Sequence, residues 1–240
     1  MEIFFASEAR KPSVIFQHSD VVPGEFPYMV SILNKDNYIC GGAIISSRHI
    51  LTAAHCFVNL NQTYDDIVVI SGVMKNRTFG EIHKVANVTI HDKFLSDTCN
   101  EWYNDIAVIT LSNAMNFCHY QNSIALPHKN TPGNIVAILL GWGNTSRNGE
   151  ESECLKETKV AVLTNKECNE KYPRIMATQM CGFNGKGTGF CNGDSGNPLA
   201  YRNEVIGIVS FSASCKIRYP DNYTRVYKYM DFITQVIATT

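Results

Sequence analysis

Apolar residues recur at alternate positions or in short continuous runs along most of the chain, and turn-forming residues interrupt them at short intervals. From Pro27 onward this pattern predicts strands at 28–33, 42–45, 67–70, 83–90 and 106–111, then at 134–140, 155–163, 180–182, 198–201, 204–211 and 222–226. The runs form two groups of about six strands each, which predicts an all-β fold of two six-stranded antiparallel barrels. Helical spacing is convincing in one place only. Tyr229, Phe232, Ile233, Val236 and Ile237 share one face, so a short C-terminal helix is expected to dock on a barrel. The polar stretch 113–130 reads as the crossing between barrels, and residues 1–20 are irregular, with no pattern that would bury them.

Composition narrows the class. A chain of 240 residues supports a large core, and all-β chains of this length commonly form one domain. A net charge of -1 and a pI near 6.6 leave no basic footprint, so neither nucleic acid nor an anionic membrane is expected as a partner. The best apolar run, 135–140, is far too short to span a bilayer. Nine cysteines without a C-x-x-C pair or an HExxH point to disulfides in an oxidising compartment rather than to a zinc site. Five N-x-S/T sequons, at Asn61, Asn76, Asn87, Asn144 and Asn222, agree with a secreted, extracellular protein. The alternative is a cytosolic chain with reduced cysteines. Residues 1–9 make a poor signal peptide, with Ile3, Phe4, Phe5 and Ala6 as the apolar part and acidic Glu2 where a basic residue belongs. Residues 1–14 are therefore read as a leader remnant or propeptide, and 15–240 as the folded domain.

The chemistry concentrates around Cys191-Asn-Gly-Asp-Ser-Gly-Asn-Pro198, where Ser195 follows Asp194 between two glycines. A serine hydroxyl is a weak nucleophile that needs a base and a site for the developing oxyanion. Gly193 permits a turn in which the N–H groups of residues 193 and 195 converge on one point. No histidine follows Ser195, so the base must lie upstream. His55, in Leu-Thr-Ala-Ala-His-Cys, stands among small residues at a strand end. Asp105 opens an apolar run, and a partly buried aspartate there wants a donor such as the imidazole N–H.

These residues resemble the chymotrypsin/trypsin family of serine proteases, and the likeness extends from about Gly24 to the C-terminus. It runs through Cys40-Gly-Gly, the stretch 52–56, the stretch 104–108, Gly141-Trp-Gly, the stretch 193–196 and Ile208-Val-Ser. The resemblance implies a catalytic triad of His55, Asp105 and Ser195, with an oxyanion hole from Gly193 and Ser195. It also implies disulfides Cys40 to Cys56, Cys168 to Cys181 and Cys191 to Cys215, leaving Cys99, Cys118 and Cys154, so that at least one thiol is free or intermolecular. Polypeptide substrates and protein protease inhibitors are the expected partners, the chain is expected to be monomeric, and no cofactor or metal is expected. The segment between Gly72 and His91 carries a single acid, Glu81, which does not suit calcium.

The same resemblance places a substrate pocket at 189–192, 210–214 and 220–223. Gly189 stands at the floor where trypsin-like members carry aspartate, and Asp221 matches a second floor position that is usually glycine. Phe190 would narrow the cavity, Ser212 replaces a small residue at its mouth, Ser210 would support Asp105, and Phe211 would form a wall. A preference for Phe, Tyr, Leu or Met follows, with secondary cleavage after basic residues; the alternative for Asp221 is a solvated turn residue in Pro220-Asp-Asn. Family members are activated by a cut that frees an N-terminal isoleucine to pair with the aspartate before the nucleophile. Ile15 and Asp194 match those positions, but Val14 precedes the isoleucine and the following glycines are missing, as is the glycine usual at 197, where Asn197 stands. Two readings therefore stand: an active secreted endopeptidase with an unusual activation site, or a protease-like binding or regulatory protein.

Overall fold

The computed structural model describes residues 19–58, 60, 64–72, 78–96, 102–143, 152–171, 175–183, 193–211 and 220–240. After a two-residue strand, β1 (Ser19–Asp20), come β2 (Met29–Asn34), β3 (Asn37–Ile44), β4 (His49–Thr52), β5 (Ile67–Ser71) and β6 (Glu81–Ile90). A small hairpin of β7 (Leu95–Ser96) and β8 (Trp102–Tyr103) precedes β9 (Ala107–Leu111). The strands β2-β3-β4-β9-β6-β5 close into an antiparallel barrel. The second half holds β10 (Ile135–Gly141), β11 (Lys156–Val162), β12 (Gln179–Phe183), β13 (Pro198–Tyr201), β14 (Glu204–Phe211) and β15 (Asp221–Arg225). The order β11-β10-β13-β14-β15-β12 closes through a β11–β12 pairing, and β1 adds to the outside of β11. Two barrels, six strands each, are thus the architecture.

Boundaries follow the apolar runs to within a residue or two except in β3, which begins five residues before the expected 42. The expected set lacks β4, the short His49-Ile-Leu-Thr segment. All four of its residues are buried, and its register pairs Thr52 with Ala107 and His49 with Thr110 of β9. Full burial without alternation in a four-residue run hides the period that identifies a strand. A second element not expected is α1 (Asn165–Asn169), whose capping box of Thr164 and Glu167 is legible in Thr-x-x-Glu.

The C-terminal helix, α2 (Met230–Thr239), buries Ile233 and Val236, while Tyr229 lies buried in the 3-10 turn before it. All three join the cluster that contains Val30, Ile50, Leu51 and Ile109 of the first barrel, so a helix that follows the second barrel packs on the first. The second barrel keeps its own cluster around Leu139, Val160, Leu199 and Tyr223. No helix among the described residues is long and apolar enough to cross a membrane. Residues 1–14, and Ile15 with them, lie outside the described residues.

His49 ties α2 to β4. It is 4 % exposed, and its ring nitrogens meet Ser46 Oγ at 2.7 Å and Thr240 Oγ1 at 2.9 Å. Burial, helped by the neighbouring Arg48 charge, holds its pKa below the usual histidine range. A histidine depressed in the folded state is protonated more readily by the unfolded chain. Its contribution is present above about pH 6.5 and is lost as the pH falls toward the folded value. His49→Gln is therefore expected to shrink the drop in melting temperature between pH 7 and pH 5 by roughly 2 °C or more, measured by calorimetry. An unchanged drop would remove His49 from the acid response.

Candidate active site at the junction of the barrels

Asp105 is placed by a turn. Asn104 adopts φ +53°, a left-handed conformation that asparagine tolerates better than most residues, and its side chain donates to Lys93 O at 2.7 Å. Tyr229 donates its hydroxyl to Asn104 Oδ1 at 3.0 Å, and burial pushes that phenol up to about 12, so it remains a donor at any physiological pH. The turn delivers Asp105, 1 % exposed, to the seam between barrels.

Three donors converge on its carboxylate. The His55 backbone N–H reaches Oδ1 at 2.9 Å, His55 Nδ1 reaches Oδ2 at 2.9 Å, and Ser210 Oγ donates to Oδ2 at 2.5 Å. Thr224 Oγ1 of β15 adds a bond to Asp105 O at 2.7 Å. With Nδ1–H committed to the carboxylate, a neutral His55 carries its lone pair on Nε2, the tautomer of a general base. Ser210 owes its aim to a bulge. The register of β14 on β15 passes from Val209–Tyr223 to Phe211–Asn222, which leaves Ser210 as the extra residue facing Asp105.

His55 sits in a single 3-10 turn, Ala54–Phe57, directly after β4. Cys56 in that turn is disulfide-bonded to Cys40 of β3, and Cys168 to Cys181 forms a second bridge. Closures of about 15 residues contribute roughly 3 kcal/mol each in the chain-entropy account. Cys191, Cys215 and Cys99 lie outside the described residues, and Cys118 and Cys154 are free thiols. The one His/Cys grouping among the described residues that could hold a metal, Cys40, His55 and Cys56, is spoken for, since its two sulfurs are bonded to each other.

The serine turn docks on the first barrel. Gly41 N donates to Ser195 O at 2.8 Å, and Tyr38 donates its hydroxyl to Gly193 O at 2.8 Å. Gly193 and Gly196 adopt φ +98° and +77°, and a Cβ at Gly196 would stand 2.4 Å from Gly41 O. Glycine is required there on both counts. Ser195 is half-buried and its carboxylate neighbour Asp194 is 6 % exposed.

One aromatic ring covers the histidine and a second backs that ring. Trp102 stacks on the imidazole with centroids 3.9 Å apart and planes at 15°, and Phe211 meets Trp102 edge-on at 6.5 Å. Trp102, Tyr38 and Thr224 were not singled out from the sequence, although Trp102 lies only three residues before Asp105. Among the pocket residues, Asp221 is buried, at 6 % exposure, in β15 opposite Gly182. Its alternative as a solvated turn residue is thereby corrected, because strand pairing and burial leave no solvated turn. Gly189, Phe190 and Ser212 lie outside the described residues. Of the sequons, Asn222 is 2 % exposed in β15 and closed to a glycan, whereas Asn87 is exposed on β6; Asn61, Asn76 and Asn144 lie outside the described residues.

The family model described as Trypsin matches residues 15–233. The chain is 35% identical over 221 residues to "Trypsin II-P29" of Gallus gallus, covering 88% of this chain and 84% of the relative. It is 35% identical over 240 residues to "Venom serine protease 34" of Apis mellifera, covering 93% of this chain and 58% of that longer protein. It is 31% identical over 242 residues to "Serine protease SP24D" of Anopheles gambiae, covering 97% and 85%. Two closed barrels, a disulfide-tethered histidine turn and a family match over most of the chain lead to one conclusion: the chain belongs to the trypsin family and is a serine endopeptidase.

Proposed function

We propose that the protein is a secreted endopeptidase that cuts peptide bonds through an acyl-enzyme, with Ser195 as nucleophile, His55 as base and Asp105 as its orienting carboxylate. Ser195 Oγ attacks the carbonyl carbon as its proton passes to His55 Nε2. The peptide C–N bond then breaks, and the leaving amine takes that proton. Water repeats the sequence on the ester and restores Ser195. The N–H groups of Gly193 and Ser195 hold the oxyanion in both tetrahedral intermediates. The observation that carries this reading is the buried Asp105 carboxylate, which accepts from both the backbone N–H and Nδ1 of His55 and so leaves the lone pair on Nε2.

Secretion is supported by the cysteine content and the two disulfides, which persist in oxidising compartments. The site would take a single polypeptide segment, and protein inhibitors would enter the same way. Activation is assigned to a cut before Ile15, whose freed ammonium would pair with Asp194. Asp221, buried in β15 at the position that the resemblance assigns to the pocket floor, together with the lack of an acid at residue 189, supports cleavage after Phe, Tyr, Leu or Met and, to a smaller extent, after Lys or Arg.

One experiment addresses these points together. The secreted protein is treated with a fluorophosphonate, from which Ser195 Oγ displaces fluoride at phosphorus, and its intact mass and peptide-library profile are recorded. Labelling at Ser195 on a chain that begins at Ile15, with mainly apolar and aromatic cleavage, is expected. A folded protein that resists the probe would overturn the triad reading in favour of a binding role. A profile confined to Lys and Arg would overturn the pocket assignment.

A further inference from the structure

Asn197 departs from the family pattern, and the structure gives its side chain a specific setting. It is 0 % exposed, and its Nδ2 donates to Asp194 Oδ1 at 3.3 Å. Its backbone N–H donates to Asp194 O at 3.1 Å, so Asn197 holds Asp194 by main chain and side chain at once. The same carboxylate oxygen accepts from Gly143 N at 2.9 Å. Asn197 Oδ1 has no hydrogen-bond partner among the described residues. The amide orientation is nevertheless fixed, because turning it over would press a carbonyl oxygen against a carboxylate.

The surroundings admit this residue closely. A Cβ at Gly41 would fall 1.6 Å from Asn197 Oδ1, and one at Gly141 would fall 2.0 Å from Asp194 Oδ1 and 2.9 Å from Asn197 Nδ2. Burying an amide with an orphaned oxygen is unfavourable, whereas its nitrogen, at 3.3 Å, gives a buried carboxylate a long charge-assisted donor beside that of Gly143. The orphaned oxygen is thus tolerated for the sake of the nitrogen's contact with Asp194.

We propose that Asn197 is a positioning residue for the oxyanion hole: by holding the Asp194 carboxylate against Gly143, it keeps the 193–196 turn in the conformation that presents the N–H groups of Gly193 and Ser195. The hole is then partly preformed by a side chain buried where the serine turn meets β3, which lessens the share that the ammonium freed at residue 15 has to supply. This rests on the proposed triad reading for its kinetic consequence.

The test uses Asn197→Gly, which removes the donor and restores the residue usual at this place, with Asn197→Ala measured at the same points should the glycine variant fail to fold. Steady-state kinetics on a peptide substrate and the fluorophosphonate labelling rate are compared with the wild type. The expected result is a fall in kcat and in labelling rate of about tenfold or more with KM within about twofold, since the lost contact acts through the hole and not through substrate binding. In parallel, melting temperatures of the wild type, Asn197→Gly, Asp194→Asn and the double variant form a cycle expected to be non-additive. A kcat within twofold of wild type, or an additive cycle, overturns the proposal. If the wild type itself is not labelled, the triad reading has failed, and the cycle alone decides whether Asn197 holds Asp194.

Discussion

Ser195→Ala is expected to lower kcat by about 10⁶ while the protein melts within a degree or two of the wild type. The methyl group takes the place of the hydroxyl that forms the acyl-enzyme in the proposed mechanism. It leaves in place the contacts that hold the turn: Gly41 N on Ser195 O, Tyr38 on Gly193 O and Gly196 N on Val209 O. Because those bonds use main-chain atoms of residues 193–196, nothing that orders the turn depends on the lost hydroxyl. The variant should also refuse the fluorophosphonate. Progress curves with an active-site-titrated wild type as reference measure the ratio, and turnover within a hundredfold of wild type would remove Ser195 from the nucleophile's place.

Asp105→Asn is expected to lower kcat by about 10⁴ with a much smaller change in KM, the size seen for the equivalent change in the Ser-His-Asp template of this family. The wild-type carboxylate takes three donors and returns none. An amide in its place must turn its NH₂ toward at least one of them. Its oxygen can serve the backbone N–H of His55, which has no freedom to move, and the NH₂ then faces Ser210 Oγ and His55 Nδ1. The hydroxyl can rotate to accept. The imidazole can accept only by giving up the proton on Nδ1, which moves the remaining proton to Nε2 and leaves no lone pair there for the proposed transfer from Ser195. Kinetics measured beside the melting temperature separate this from unfolding: a loss smaller than tenfold in a fully folded variant would mean that the Nδ1 bond does not set the tautomer.

Both variants probe contacts whose members were readable in the sequence but whose connections were less so. His55, Asp105 and Ser195 stood out because each lies in a distinctive local setting, and the strands carrying them followed from apolar runs. β4 escaped because four fully buried residues have no alternation to display, even though this strand is what delivers His55. The aim of Ser210 at Asp105 depends on a bulge, a mismatch between two strands that neither strand's own composition encodes. Trp102 was missed for a different reason. Its stacking on His55 comes from a two-residue strand in a hairpin set against the second barrel, and a tryptophan three residues before an aspartate carries no periodic signal. Asn197 was visible as a departure from a pattern, but its meaning required knowing that the Asp194 carboxylate lies beside it.

The placement of α2 bears on how the chain acquires its shape during synthesis. The strands of the first barrel leave the ribosome well before Ile233 and Val236, which complete its cluster of buried residues. Domains generally fold as units in the order in which they emerge. Here the earlier unit must wait, with part of its apolar surface uncovered, until the later one has been threaded through and its trailing helix laid back across it. The assembled cleft can therefore exist only after both the second barrel and α2 have been made, although the first barrel precedes them in the chain.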